Sequence, residues 1–373
     1  GRCPKGERLR MGFPHGHRKI KALVAGLRMT GMVAAMLLDG PTNGDWFEGA
    51  NWSDLADGAA FSGTGTATLT VAQAGVADSG SKFRCVVTVA GAGQVVSKAA
   101  TLTLHGSQFA ALSARAPAGT GEQTLILGFV FAGGGKPTLV RGVGPGISAT
   151  VSGYLRDPQL RLYSGSGTEV ASNDDWAGGA SLSASFAKTG AGALYPTSKD
   201  AALHESLAAN VYTAHVSGAN GTTGVALAEA YDANFADKTK RLTALSVRNQ
   251  VGVDDAILIA GFVIAGDAPK QVIVRGVGPG ISETVSGYLH DPQLQVWKLD
   301  TATGKWTLAG ENDDWDHTAT TAALFKTVGM GELASDSKDA ALVLTLEPGI
   351  YTAQLTGVGR TTGVGVVEIY EVP

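Results

Sequence analysis

The amino-acid sequence predicts an all-β fold made largely of two copies of one antiparallel sandwich, and three observations carry that reading. Val140 to Ser148 reads V-R-G-V-G-P-G-I-S, and Val274 to Ser282 repeats the same nine letters. The 52 glycines and the abundance of Thr, Val, Ala and Ser, without long Glu/Lys/Leu blocks, suit many short strands joined by tight turns. Apolar runs are separated throughout by Gly, Pro, Asn and Asp, which accept turn geometry.

The duplication extends well beyond the nine letters. Each copy continues through V-S-G-Y-L, D-P-Q-L (Asp157, Asp291), N-D-D-W (Asn173, Asn312), S-K-D-A-A-L (Ser198, Ser337) and Y-T-A (Tyr212, Tyr351). Matched landmarks are 133 residues apart at Leu112 and Leu245, 134 at Arg141 and Arg275, and 139 at both the Asn173/Asn312 and Glu229/Glu368 pairs. The copies therefore differ by two local insertions, and the larger, of five residues, falls between Trp297 and Asn312. Inside a strand it would disturb the pleat and expose the apolar face, so it belongs at a hairpin tip.

Residues 1–44 do not share this pattern. Arg18, Lys19 and Lys21 precede an apolar run, Ala22 to Leu38, as a secretory signal begins, but Arg28 interrupts it and no small-x-small cleavage site follows. The segment is expected to be a poorly ordered or non-native leader, too short to span a bilayer comfortably.

In residues 45–106, Thr66, Thr68 and Thr70 alternate with Ala67, Leu69 and Val71, a half-buried strand. A-D-S-G-S-K-F-R-C-V-V-T-V (Ala77 to Val89) and Val95 to Leu104 follow. This stretch resembles the second half of a bacterial immunoglobulin-like domain, in which an Asp-x-Gly corner leads into the strand bearing the second cysteine. Phe83 stands where the corner tyrosine would, one extra residue separates Asp78 from it, and no cysteine-bearing early strand precedes. The domain is thus partial, and Cys85 is expected to be a buried free thiol.

His105 to Ala111 reads as a short linker, and the repeats are assigned to residues 107–236 and 237–373. Strands in the first are read at Thr124 to Phe131, Thr138 to Val143, Gln159 to Tyr163, Glu169 to Asn173, Ala201 to Leu207, Val211 to Val216 and Gly224 to Tyr231, enough for a two-sheet sandwich. A polar connector, Asp237 to Arg241, leads into the second copy. The order D-P-Q-L, an aromatic at Tyr163 or Trp297, a turn, N-D-D-W, an apolar strand, P-G-I-Y-T-A-Q-L (Pro348 to Leu355) and a closing strand is similar to bacterial pre-peptidase C-terminal-like domains. It is closer still to C-terminal repeats of large exported proteins that also carry immunoglobulin-like modules. The resemblance implies a jelly-roll-like sandwich, an extracellular or cell-surface setting, and a non-catalytic appendage that helps an exported protein bind, anchor or fold. Some related sandwiches bind calcium or matrix polymers.

Charge narrows the partners. The net charge is −4, yet residues 1–40 hold eight Lys/Arg and two acids, so the remaining 333 carry 21 basic and 31 acidic residues, a balance of −10. A body of that sign without a basic stripe repels phosphate backbones, and nucleic acid is not an expected partner.

Candidate sites follow from the repeated motifs. Asn173, Asp174 and Asp175, with Asn312, Asp313 and Asp314, cluster oxygen side chains; Asp200 and Asp339 mark a second matched loop, and Asp157 and Asp291 a third. Converging, these loops suit calcium, which takes six to eight oxygens; unconverged, the same residues cap backbone amides in Asx turns, with Trp176 and Trp315 packed as lids. Arg141 and Arg275 sit in apolar strands, and Glu229 and Glu368 share strand faces with apolar neighbours. Buried charges are paired, so an Arg141–Glu229 and an Arg275–Glu368 pair are expected inside each sandwich, with Arg115 and Arg248 as competing partners. G-V-G-P-G lacks the Lys-Ser/Thr of a phosphate cradle and reads as a turn.

No histidine is shared between the copies, and neither a G-x-S-x-G elbow nor an H-E-x-x-H motif occurs, so no enzyme is expected and no resident cofactor beyond calcium. Trp297 and Trp306 flank the enlarged loop as glycan contacts or as a packed cross-strand pair. The sequence thus points to adhesion, anchoring or spacing. Its alternative is a polysaccharide- or matrix-binding accessory of a secreted hydrolase whose catalytic domain lies upstream.

Overall fold

Strand boundaries follow the apolar alternation closely. The structure is a computed structural model that describes residues 21–23, 33–39, 52–66, 68–72, 78, 80–89, 93–102 and 106–372. The chain divides between residues 104 and 105 into two units.

The described part of the first unit carries short strands: β1 (Lys21–Leu23), β2 (Val33–Asp39), β3 (Ser53–Asp54), β4 (Phe61–Ser62), β5 (Thr68–Val71), β6 (Lys82–Val89), β7 (Gly93–Val96) and β8 (Ala100–Thr101). One sheet runs β1-β5-β4; the other runs β3-β2-β6-β7, with β8 also on β6. β1 and β2 arise in the segment assigned to a leader. The apolar V-A-A-M-L-L-D of β2 pairs along its length with β6, placing Met36 opposite Cys85. Cys85 is a buried free thiol, and burial pushes its pKa up. Phe83, at the corner position, packs edge-on to Phe61 at 6.3 Å.

In the second unit the first copy comprises β9 (Ser107–Ala118), β10 (Leu125–Ala132), β11 (Lys136–Val143), β12 (Pro158–Ser164), β13 (Glu169–Asn173), α1 (Ala180–Thr189), β14 (Ala201–Leu207), β15 (Val211–Gly218) and β16 (Gly224–Asp232). The second comprises β17 (Arg241–Val251), β18 (Leu258–Gly266), β19 (Lys270–Val277), β20 (Pro292–Asp300), β21 (Lys305–Asn312), α2 (Ala319–Thr327), β22 (Ala340–Leu346), β23 (Gly349–Gly357) and β24 (Gly363–Glu371). The stretch read as a linker, His105 to Ala111, is mostly β9. A bulge there, where Val263 faces Ala111 but Ile264 faces Phe109, breaks the alternation that would have revealed the strand. The five extra residues of the second copy lengthen the β20–β21 hairpin at its tip.

The two copies exchange their first strands. β9 pairs with its own β16 on one side and with β18 of the other copy on its second side; β17 pairs with its own β24 and with β10. Two continuous sheets result, β14-β11-β16-β9-β18-β23-β20-β21 and β22-β19-β24-β17-β10-β15-β12-β13. A Phe109–Leu242 bridge joins them into one 16-stranded system. Each sheet therefore crosses both copies, and one apolar core does the same. Phe262 meets Phe109 edge-on and stacks on Tyr351, while Phe129 stacks on Tyr212 in the matching place. The edge strands β13 and β21 each carry a bulge, at Val170 and Ala309, which discourages pairing with a further strand.

A third layer was not legible in the sequence. α1 and α2 cover the outer faces of β11 and β19, making two smaller cores around Phe186 and Phe325. They explain why β11 and β19 read as near-continuous apolar runs, because both of their faces are covered.

Candidate functional site

The repeated motifs converge on one internal network. Asp200 is fully buried; its Oδ1 accepts the backbone N–H of Gly144 (2.8 Å) and Gly146 (3.1 Å), and its Oδ2 accepts the Ser198 hydroxyl (2.7 Å). Asp339 does the same with Gly278, Gly280 and Ser337. The G-V-G-P-G turn is thus an anion-binding concavity whose anion is the chain's own carboxylate. Only glycine fits at its first corner, since a Cβ on Gly144 or Gly278 would lie 1.8 Å from the carbonyl oxygen of Leu155 or Leu289.

The N-D-D-W loops turn inward as well. Asn173 accepts the Ala202 N–H (3.0 Å) and donates to the Asp175 carbonyl (3.0 Å), tying the open corner between edge strands β13 and β14; Asn312 repeats this with Ala341 and Asp314. Asp175 pairs with Lys199 at 2.7 Å, while Lys338 reaches Asp291 and Asp314 at 3.3 and 3.5 Å. Trp176 packs 5.2 Å from Phe186 and donates from Nε1 to the Tyr195 carbonyl; Trp315 lies 5.6 Å from Phe325.

Among the described residues the carboxylates named as calcium ligands do not gather at one point. The Asp200 and Asp339 oxygens already accept protein donors, Asp157 and Asp174 do not join them, and among the described residues no three His, Cys, Asp or Glu are grouped to hold a metal ion. Within these loops Asn173, Asn312, Asp200 and Asp339 cap backbone amides.

Arg141 and Glu229 face each other across β11 and β16, with Arg141 Nη2 2.6 Å from Glu229 Oε2; Arg275 Nη2 lies 2.5 Å from Glu368 Oε2. Their location differs from the expected sandwich interior. Arg141 shares a strand face with Leu139 and Val143, which belong to the helix-side core, so the pair sits between sheet and helix. There Arg141 donates to the Gly192 carbonyl (2.6 Å) and lies over the Phe186 ring (4.9 Å), as Arg275 does with Gly331 and Phe325. Burial raises the Tyr231 hydroxyl pKa well above its ordinary value, with the Glu229 charge adding to it, and that hydroxyl donates to Glu229 Oε1 (2.7 Å). Arg115 and Arg248 form no ion pair among the described residues.

Strand exchange extends each pair into a longer row that the linear sequence conceals. On one sheet the row reads Arg141, Glu229, Ser113, Gly261, Thr352, Trp297; on the other it reads Arg275, Glu368, Ser246, Gly128, Thr213, Tyr163. The residue types match in order, and both copies contribute to each row. On the first sheet the row ends in an apolar platform. Trp297 faces Leu308, while the half-exposed Trp306 faces Leu299, which in turn faces Ile350. On the second sheet the row from Arg275 to Thr213 is the floor of a 580 Å³ groove, walled by Ile281, Val285 and Leu333 and extended by Ile126 and Arg248.

No helix among the described residues is long and apolar enough to cross a membrane. No family model matches the chain, and no curated protein matches it. Seven solved chains do; one, the STIV MCP crystal structure, is 13% identical, with 72% of this chain and 94% of that one covered, and its TM-score of 0.19 carries no argument. What the chain is similar to is therefore read from its own architecture, an all-β fold of large antiparallel sheets.

Proposed function

We propose that this chain is a non-enzymatic module of an exported bacterial protein, acting at the cell surface in adhesion, anchoring or spacing. The observation that supports this most is the exchange of β9 and β17, which makes the two copies one body with a common core and no hinge between them. A segment so built transmits load and holds a fixed length. Of the repeated acids, Asp200 and Asp339 are spent on backbone amides, and Asp175, Asp291 and Asp314 face lysines. Pulling the full chain by its ends tests the reading: one unfolding event should release both copies together, whereas two equal, independent events would overturn the rigid-spacer role.

A second reading, a polysaccharide- or matrix-binding accessory region beside an upstream catalytic domain, is favoured by the Trp297–Trp306 platform, because flat aromatic and aliphatic faces suit sugar rings. Screening the full chain on a glycan array, with Trp306→Ala alongside, tests it. Saturable binding lost in the variant supports the platform; no binding to any glycan removes this reading.

A further inference from the structure

The second sheet holds a better-defined ligand site than the tryptophan platform does. Ser246, Gly128 and Thr213 lie side by side where the two copies meet, and their small size leaves a depression between the neighbouring strands and the Pro279–Ile281 turn. Its 580 Å³ is in the range of small-molecule sites, about 300–1,000 Å³.

Two polar groups there are left open. Arg248 stands on the next rung, between Ile126 and Val366, exposed and without a hydrogen bond or ion pair among the described residues. Glu368 is the other. In the first copy Tyr231 donates to Glu229 Oε1, but among the described residues no such bond joins Tyr370 to Glu368, whose side chain is 18% exposed against 8% for Glu229. Arg275 is already engaged by Glu368 and the Gly331 carbonyl. Among the described residues the groove thus presents the unpaired Arg248 guanidinium, an open carboxylate oxygen, the Ser246 hydroxyl, the Thr213 hydroxyl that also bonds His215 Nε2 (3.1 Å), and apolar walls.

We propose that this groove binds an oligosaccharide carrying a carboxylate, a uronic-acid unit, with Arg248 gripping the carboxylate. The hydroxyls of Ser246 and Thr213 and the free oxygen of Glu368 meet sugar hydroxyls, and Ile281, Val285 and Leu333 cover the ring. A guanidinium matches a carboxylate through two parallel hydrogen bonds. One unpaired arginine beside Glu368 and Glu332, in a body of negative balance, favours a singly charged group over a phosphate dianion. This inference deepens the second functional reading and rests on it.

The test titrates the full chain with oligogalacturonate, oligoguluronate and a hyaluronan hexasaccharide, each beside its carboxyl-reduced form. At least one uronate should bind, with reduction of its carboxyl and Arg248→Gln each weakening binding about tenfold or more, the loss expected of a charge-assisted pair. Thr284→Trp, on the exposed rim, should block the groove, while Arg115→Gln, at the matching place on the other sheet, should change nothing; thermal melts confirm that each variant folds. Equal binding of the reduced sugars, or unchanged binding in Arg248→Gln, overturns the proposal, and if Trp306→Ala then abolishes binding the polysaccharide reading survives without it. Failure of every uronate to bind overturns the proposal, while the platform reading stands or falls on the glycan array.

Discussion

Replacing Asp200 by alanine removes the acceptor that organises the repeated turn, and the structure fixes what that should cost. The fully buried carboxylate satisfies the N–H groups of Gly144 and Gly146 and the hydroxyl of Ser198. Each stranded buried donor costs about 1–3 kcal/mol. The serine hydroxyl can turn elsewhere, so the two amides dominate and the loss should be about 3–5 kcal/mol. For a unit of this size that corresponds to a fall in Tm of roughly 6–15 °C. Asp200→Asn keeps an oxygen in the Oδ1 position for both amides and lets Ser198 reverse its bond, so it should cost only about 1–2 kcal/mol. Asp339→Ala should match Asp200→Ala, because its partners are the same. Urea unfolding of the full chain, followed by the fluorescence of Trp176 and Trp315 beside these loops, measures all three variants. An alanine variant within about 1 kcal/mol of the parent, or an asparagine variant as damaged as the alanine one, would refute the account.

The remaining predictions concern charge, pH, metal and connectivity. Arg141→Met strands Glu229 beneath α1 and should destabilise by about 3–5 kcal/mol, with Arg275→Met costing less because Glu368 is more open to solvent; chemical denaturation ranks them. Burial lowers the His215 pKa below its ordinary 6.5, so its contribution to stability is present above that value and is lost as pH falls through the folded-state pKa. His215→Gln, copying Gln354 of the other repeat, should therefore flatten the drop in Tm on the acid side. Chelation with EDTA should leave the Tm of residues 105–373 unchanged, since the buried Asp200 and Asp339 carboxylates are engaged by the chain itself; a fall reversed by calcium would point to a metal site. A protease site inserted after Lys238 should give, once cut, two pieces that still co-elute in size-exclusion chromatography, because each holds a strand of the other's sheet.

Much of this was legible in the sequence because a strand's period of two is so strict. The edges of β13 and β14 were readable to the residue, and the placing of Arg141 and Glu229 on apolar faces implied their pairing. β9 was half missed because its bulge broke the alternation at Phe109. α1 was hidden by composition: in A-S-L-S-A-S-F-A-K-T only Leu182 and Phe186 mark the buried face, too few to announce a helix. The Arg-Glu-Ser-Gly-Thr rows were out of reach for a different reason. With two near-identical copies, the letters cannot say whether β10 lies against β9 or β17, and every cross-copy neighbour follows from that choice. Likewise Asp174 and Asp200 look alike on paper, yet only the latter meets the glycine turn.

The strand exchange also sets a rule of arithmetic for relatives of this chain. One copy alone would leave its opening strand and its second strand each with one bare flank, a vacancy that here the other copy fills. Lengthening such a protein one copy at a time reopens that vacancy at every odd number, and growth that keeps the folded body closed proceeds by pairs.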